Sequence, residues 1–134
     1  MPKDATSVFV YGTLMPGEPR WPGLRPYAKS WEPATVQGHL WDTGRGYPAA
    51  RFHSSGDALP GVLVALVPRL VSNAIASLDR IEGEGVLYRR VELMTSAGPA
   101  ISYEWLGPTD GLASLADGWP PWRGRHRHAV RTGV

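Results

Sequence analysis

The residues best suited to chemistry in this 134-residue chain lie at positions 78–83, which read LDRIEG. The apolar residues before them follow helical spacing, and Glu82 projects between Ile75 and Leu78 on the apolar face. Gly83 is typical of a residue that ends a helix, so Glu82 is predicted in the last turn, where the helix dipole repels a carboxylate. Burial and dipole both favour the protonated carboxyl, which suits general acid–base chemistry near neutral pH.

A second interpretation of the same segment is that the helix ends one residue earlier. Glu82 would then be a solvated side chain with no special proton affinity. The residues alone leave both interpretations open.

A second candidate site is the loop Tyr11, Gly12, Thr13 and Leu14, which follows a predicted buried strand. Gly12 would let the backbone approach a ligand closely or adopt a positive φ angle. Consecutive backbone N–H groups in such a turn can bind a carboxylate or a developing oxyanion. A purely structural turn is the alternative.

Other chemistries lack the residues they need. The chain has no cysteine, which excludes disulfides, thiolate metal sites and cysteine nucleophiles. Only His39 and His53 lie outside the C-terminal tail, without the spacing of metal ligands, so no metal site and no cofactor is predicted. No Gly-x-Ser-x-Gly motif is present, and Gly44 to Gly46 lack the following helix of a phosphate-binding loop.

The elements that must position these residues are short and mostly extended. A helix is predicted from Pro68 to Glu82, residues 18–33 are predicted as a loop with one helical turn, and a further helical turn is predicted within 111–122. The predicted strands cover 7–11, 34–41, 49–52, 61–67, 88–95 and 100–106. This pattern predicts an α+β, mainly β fold: a small six-stranded barrel with one main helix.

The length suits one domain, predicted at residues 1–122, followed by a basic tail at 123–134. The net charge is +2, but four arginines lie in the tail, so the rest of the chain carries −2. The tail has no aromatic residue that could stack on a base, and no nucleic-acid partner is predicted. No apolar run is long enough to span a membrane and the N-terminus lacks a signal-peptide pattern, so no membrane partner and a cytoplasmic location are expected.

With these residues described, the sequence resembles the gamma-glutamylcyclotransferase-like family, in particular its small barrel members of the gamma-glutamylamine cyclotransferase type. The resemblance spans most of the chain. It is carried by residues 8–14 (VFVYGTL), 46–49 (GYPA), 60–63 (PGVL), 78–83 (LDRIEG) and 87–92 (LYRRVE). Residues 18–21 and the tail follow no family pattern.

The resemblance implies that Glu82 is the catalytic acid/base and that Tyr11, Gly12, Thr13 and Leu14 hold the glutamyl head group. It places Tyr88 near the site, although a core or rim tyrosine is an equally good interpretation. It also implies the reaction: the α-amine of a gamma-glutamyl amide attacks its own γ-carbonyl, which releases 5-oxoproline and a free amine. Intramolecular attack needs mainly orientation and proton transfer, which one carboxyl can provide.

Two other functions are carried forward. The same chemistry could remove a gamma-glutamyl group that protects a biosynthetic intermediate. The barrel could instead bind a small acid without turnover, although an inward carboxylate would weaken the binding of an anion. The sequence leaves the leaving amine and the oligomeric state open.

Overall fold

The computed structural model describes residues 6–119, which form one curled sheet with a helix packed against it. Two further stretches, Arg25–Tyr27 and Pro68–Leu70, form 3₁₀ turns. The helices are α1 (Trp21–Leu24) and α2 (Val71–Glu82). The strands are β1 (Ser7–Val10), β2 (Ala28–Asp42), β3 (Pro48–Phe52), β4 (Asp57–Leu66), β5 (Tyr88–Thr95), β6 (Gly98–Trp105) and β7 (Ala113–Ser114).

The sheet has the strand order β3-β2-β4-β1-β6-β5, and the two-residue β7 pairs with β2. All pairs are antiparallel except β1 with β6, which are parallel. Central strand β1 contributes the fully buried Val8, Phe9 and Val10 to the core. The prediction of a mainly β, six-stranded barrel-type fold with one main helix is confirmed, with β7 as a short addition.

The sheet curls far enough for distant strands to bond. The amide of Ser96, in the β5–β6 turn, donates to the carbonyl of Thr35 on β2 at 2.9 Å. The amide of Phe52 on β3 donates to Glu104 Oε2 on β6 at 3.0 Å. Within residues 6–119 no ladder joins β3 to β5, so the sheet is a half-barrel with side-chain and turn contacts across its opening.

Helix α2 has the extent that its apolar spacing predicts. It follows the 3₁₀ turn that starts at Pro68, buries Ala74 and Leu78 completely, and ends at Glu82. Gly83 adopts the left-handed conformation (φ 65°), and the amide of Glu84 donates to the carbonyl of Asp79 at 2.9 Å. This ending satisfies carbonyls of the last turn, and a residue with a Cβ would be strained at position 83.

Two predicted elements are wrong. Residues 18–33 were expected as a loop, and α1 supplies the expected helical turn, but β2 begins at Ala28 and pairs with β4 from there to Gly38. Residues 29–33 are exposed whichever face of the strand they occupy, so they lack the alternation that marks a half-buried strand.

The second error concerns the helical turn predicted within 111–122. Residues Ala113 and Ser114 instead form β7, and the amide of Leu115 donates to the carbonyl of Leu40 at 2.8 Å. The free edge of β2 offers hydrogen-bonding groups to this segment, and that pairing outweighs the local helical spacing of the apolar residues. The basic tail at 123–134 lies outside the described residues, as do residues 1–5.

Candidate active site

Glu82 lies at the C-terminal end of α2 with little contact to solvent. Its side chain is 12% exposed, and this burial raises the pKa of its carboxyl to about 7. Arg20 acts in the opposite direction, because its Nη1 lies 3.7 Å from Glu82 Oε2 and favours the charged form. The carboxyl can therefore exchange a proton near neutral pH.

Arg20 also stabilises the end of the helix. Its Nη1 donates to the carbonyl of Ile81 at 3.1 Å, one of the carbonyls that α2 leaves without an internal partner. The guanidinium thus places a positive charge where the helix dipole is negative and beside the carboxylate. Sequence reasoning missed Arg20, because 61 residues separate it from Ile81 and no local pattern links them.

A cavity of about 60 Å³ opens beside Glu82, between the end of β1 and the end of α2. Arg20, Tyr47, Pro48 and Ile81 contribute to its wall. All six residues predicted from the sequence line it: Tyr11, Gly12, Thr13, Leu14, Glu82 and Tyr88. The fold thus brings the predicted head-group loop and the predicted acid/base to one space.

The loop after β1 is held by its carbonyl groups. The carbonyl of Gly12 accepts from the amide of Met15 at 3.0 Å, and the carbonyl of Thr13 accepts from the amide of Arg20 at 2.8 Å. None of the hydrogen bonds within residues 6–119 uses the N–H groups of Gly12, Thr13 or Leu14. These donors are available to a ligand in the cavity that the three residues line.

Gly12 is required for close packing. Its φ angle is not positive, so that explanation from the sequence is wrong. A Cβ at this position would lie 2.7 Å from Cγ of Pro48, nearer than such atoms approach. The backbone therefore approaches the ring of Pro48, which also lines the cavity.

Two of the four tyrosines that line the cavity, Tyr11 and Tyr88, have their hydroxyl groups bonded to backbone carbonyls. Tyr11 donates to the carbonyl of Tyr103, and Tyr88 donates to the carbonyl of Pro48, each at 2.6 Å. Burial raises the pKa of both phenols further above its ordinary value, so both stay neutral. Their role in the structure is to shape the wall, and Tyr88 fixes the proline that contacts Gly12.

Asp79, one turn before Glu82, faces the sheet. It accepts a hydrogen bond from the hydroxyl of Tyr103 at 2.7 Å and pairs with Arg90 on β5. These bonds tie α2 to β5 and β6, and so fix the position of the helix end. Residues 78–83 therefore contain both Glu82 and Asp79, whose bonds hold the end of the helix in place.

Comparison with known proteins identifies the family. The family model for gamma-glutamyl cyclotransferase, AIG2-like proteins matches residues 8–121. The chain belongs to this family. No curated protein matches the chain in sequence.

Several solved structures share the architecture. An AIG2-like protein from Mus musculus matches with a TM-score of 0.62 at 15% identity, over 79% of this chain and 82% of that one. A protein from Arabidopsis thaliana, solved in solution, matches with a TM-score of 0.67 at 21% identity, over 98% and 79%. An uncharacterised protein from Pyrococcus horikoshii matches with a TM-score of 0.59 at 21% identity, over 94% and 98%. At these identities the likeness shows the fold.

Residues 6–119 contain neither a membrane-spanning helix nor a cluster of metal-ligating side chains. No helix there is long and apolar enough to cross a membrane. Nor does any group of three or more histidine, aspartate or glutamate side chains lie where it could hold a metal ion. The expectation that the site works without a metal stays a prediction.

Proposed function

We propose that this family member is a gamma-glutamyl cyclotransferase, which converts a gamma-glutamyl amide to 5-oxoproline and a free amine. The single observation that supports it best is a buried carboxyl, with a pKa near 7, beside a small cavity that is also lined by residues with unused backbone N–H groups. The family match supports the same class of reaction.

The loop after β1, the cavity and Arg20 have separate roles in the proposed reaction. The N–H groups of Gly12, Thr13 and Leu14 bind the anionic end of the glutamyl head group, or the oxygen that becomes negative during attack. The narrow cavity folds the head group so that its α-amine lies near its own γ-carbonyl, which makes the attack intramolecular. Arg20 keeps a fraction of Glu82 ionised and ready to accept a proton.

The bonds and protons balance without another reactant. The amine nitrogen forms a bond to the γ-carbon, and Glu82 takes a proton from this nitrogen. The bond from the γ-carbon to the leaving nitrogen then breaks, and Glu82 returns the proton to the leaving amine. No water is consumed.

Because cyclisation consumes no water, labelled water distinguishes it from hydrolysis. The protein is incubated with a gamma-glutamyl amide in ¹⁸O-labelled water, and the products are separated by mass. We expect unlabelled 5-oxoproline and the free amine in equal amounts. Labelled glutamate would show hydrolysis instead. If none of the amides tested gives a product, the small-acid-binding alternative remains.

A further inference from the structure

The cavity beside Glu82 is too small for a whole gamma-glutamyl amide. Its volume of about 60 Å³ is enough for roughly four to six water molecules. A glutamyl head group has more heavy atoms than that, so it would take up the whole cavity and its open mouth. Any larger amine attached to the γ-carbon must therefore extend beyond the cavity wall.

A second space adjoins that wall. It is a groove of about 330 Å³, and Leu87 lines both the groove and the cavity. Trp105, on the groove side, contacts the cavity residues Tyr88 and Tyr47, with ring centroids 5.4 Å and 6.4 Å apart. The two spaces therefore meet at Leu87, and Trp105 joins their walls.

The groove offers an apolar surface that the protein leaves uncovered. Val86 is 79% exposed and Leu87 is 39% exposed, and Leu112 continues the lining. Val86 and Leu87 follow the helix that carries Glu82, so the catalytic segment and this surface are continuous in the chain. Exposed apolar side chains beside a cavity are typical of a ligand-binding surface, because a bound ligand removes them from water.

The ionisable residues of the groove give it no net charge. Arg45 and Asp110 are its two ionisable lining residues, and their charges are opposite. Its apolar lining residues, which can select among uncharged amine groups, are Val86, Leu87, Trp105 and Leu112.

We propose that this groove binds the amine half of the substrate and selects amides of apolar alkyl or aryl amines. This inference rests on the proposed function, since it names the substrate class of the same site. Each buried methylene adds about 0.8 kcal/mol of transfer free energy, so kcat/KM rises by roughly fourfold per methylene until the groove is filled.

The test compares the gamma-glutamyl amides of methylamine, butylamine and phenethylamine, with release of the free amine as the readout. In the unmodified protein, kcat/KM should rise along this series. Val86→Ser and Leu112→Ser should reduce the gain for phenethylamide by at least about threefold, since both contacts become polar. The methylamide, whose amine does not reach the groove, is the reference substrate against which the phenethylamide is compared in each protein.

The matched control is Met94→Ser, which alters a 69% exposed apolar residue on β5 that does not line the groove. It should leave the whole series unchanged. Equal kcat/KM for all three amides, or an unchanged series in the Val86 and Leu112 variants, would overturn the groove assignment while the cyclotransferase stands. No turnover of any amide would overturn the proposed function and this inference with it.

Discussion

Two opposing effects set the pKa of Glu82. Burial of its side chain raises its pKa, whereas the guanidinium of Arg20, 3.7 Å away, lowers it. With the pKa near 7, both protonation states are populated at neutral pH, as a group that must accept and then return a proton requires.

The pH dependence of activity should therefore report Glu82. We expect kcat/KM to rise with pH through about 7, since the base must be ionised before it can take a proton. Arg20→Gln removes the charge that lowers this pKa and should move the rise to higher pH, whereas Arg20→Lys should largely preserve it. Arg80→Gln is the matched control, because Arg80 lies on the same helix and does not line the cavity. Superimposable pH profiles for all four proteins would contradict the assignment.

A second residue-scale prediction concerns the head-group loop. Gly12→Ala should impair activity and weaken the binding of 5-oxoproline, because the new Cβ would collide with Pro48 and move the backbone. Thr13→Ser should be mild, since the proposed contact belongs to the main chain. Calorimetric titration with 5-oxoproline measures the affinities, and thermal unfolding checks that both variants fold. Equal affinities in the two variants would mean that the loop does not hold the head group.

At the scale of elements, helix α2 was predictable because its signals are local. The spacing from Val71 to Leu78 and the stop at Gly83 give its limits, and Glu82 falls where they place it. The first half of β2 and the strand β7 were not predictable, because both depend on pairing with distant strands. Arg20 was missed for the same reason, since only tertiary folding brings it to the end of α2.

An ionised carboxyl at the end of α2 should cost stability. The pKa of Glu82 is about 7 in the folded protein against 4.5 for the free side chain. Below about pH 4.5 the group is mostly neutral in both states. The cost builds between pH 4.5 and 7, where the unfolded chain ionises and the folded protein does not, and it levels off at about 3 kcal/mol above pH 7. Glu82→Gln should therefore be more stable than the unmodified protein at pH 8 and gain little at pH 4.5.

Urea unfolding at these two pH values measures the effect. Glu84→Gln is the control, because Glu84 is exposed just beyond the same helix. If the difference in unfolding free energy between Glu82→Gln and the unmodified protein is the same at pH 4.5 and pH 8, the pKa of Glu82 is not raised in the folded protein.

For the whole molecule, the curl of the sheet and the packing of α2 bring sequence-distant parts to one cavity. Tyr11 to Leu14 follow the central strand β1, and Glu82 ends the helix about seventy residues later. The sequence predicts the loop and the buried carboxyl separately, and the family resemblance predicts that they lie in one site. It gives no indication of the adjoining groove, because that space forms where β6 and the segment after it approach Leu87.

The basic tail gives a whole-molecule prediction. Deletion of residues 123–134 removes four arginines and should lower the isoelectric point while changing turnover little, because the tail lacks aromatic and phosphate-binding features. Activity and thermal unfolding of the truncated protein would be compared with those of the full chain. A large loss of either would show that the tail contributes to the site or to the fold.

The central claim is that Glu82 transfers the protons in a cyclisation, and one measurement tests it most directly: the rate of 5-oxoproline release by Glu82→Gln. The amide keeps the size of the side chain but cannot accept the proton, so the rate should fall by at least about a hundredfold. Glu84→Gln should keep full activity, because Glu84 lies outside the cavity. Near-normal turnover in a folded Glu82→Gln protein would contradict the account.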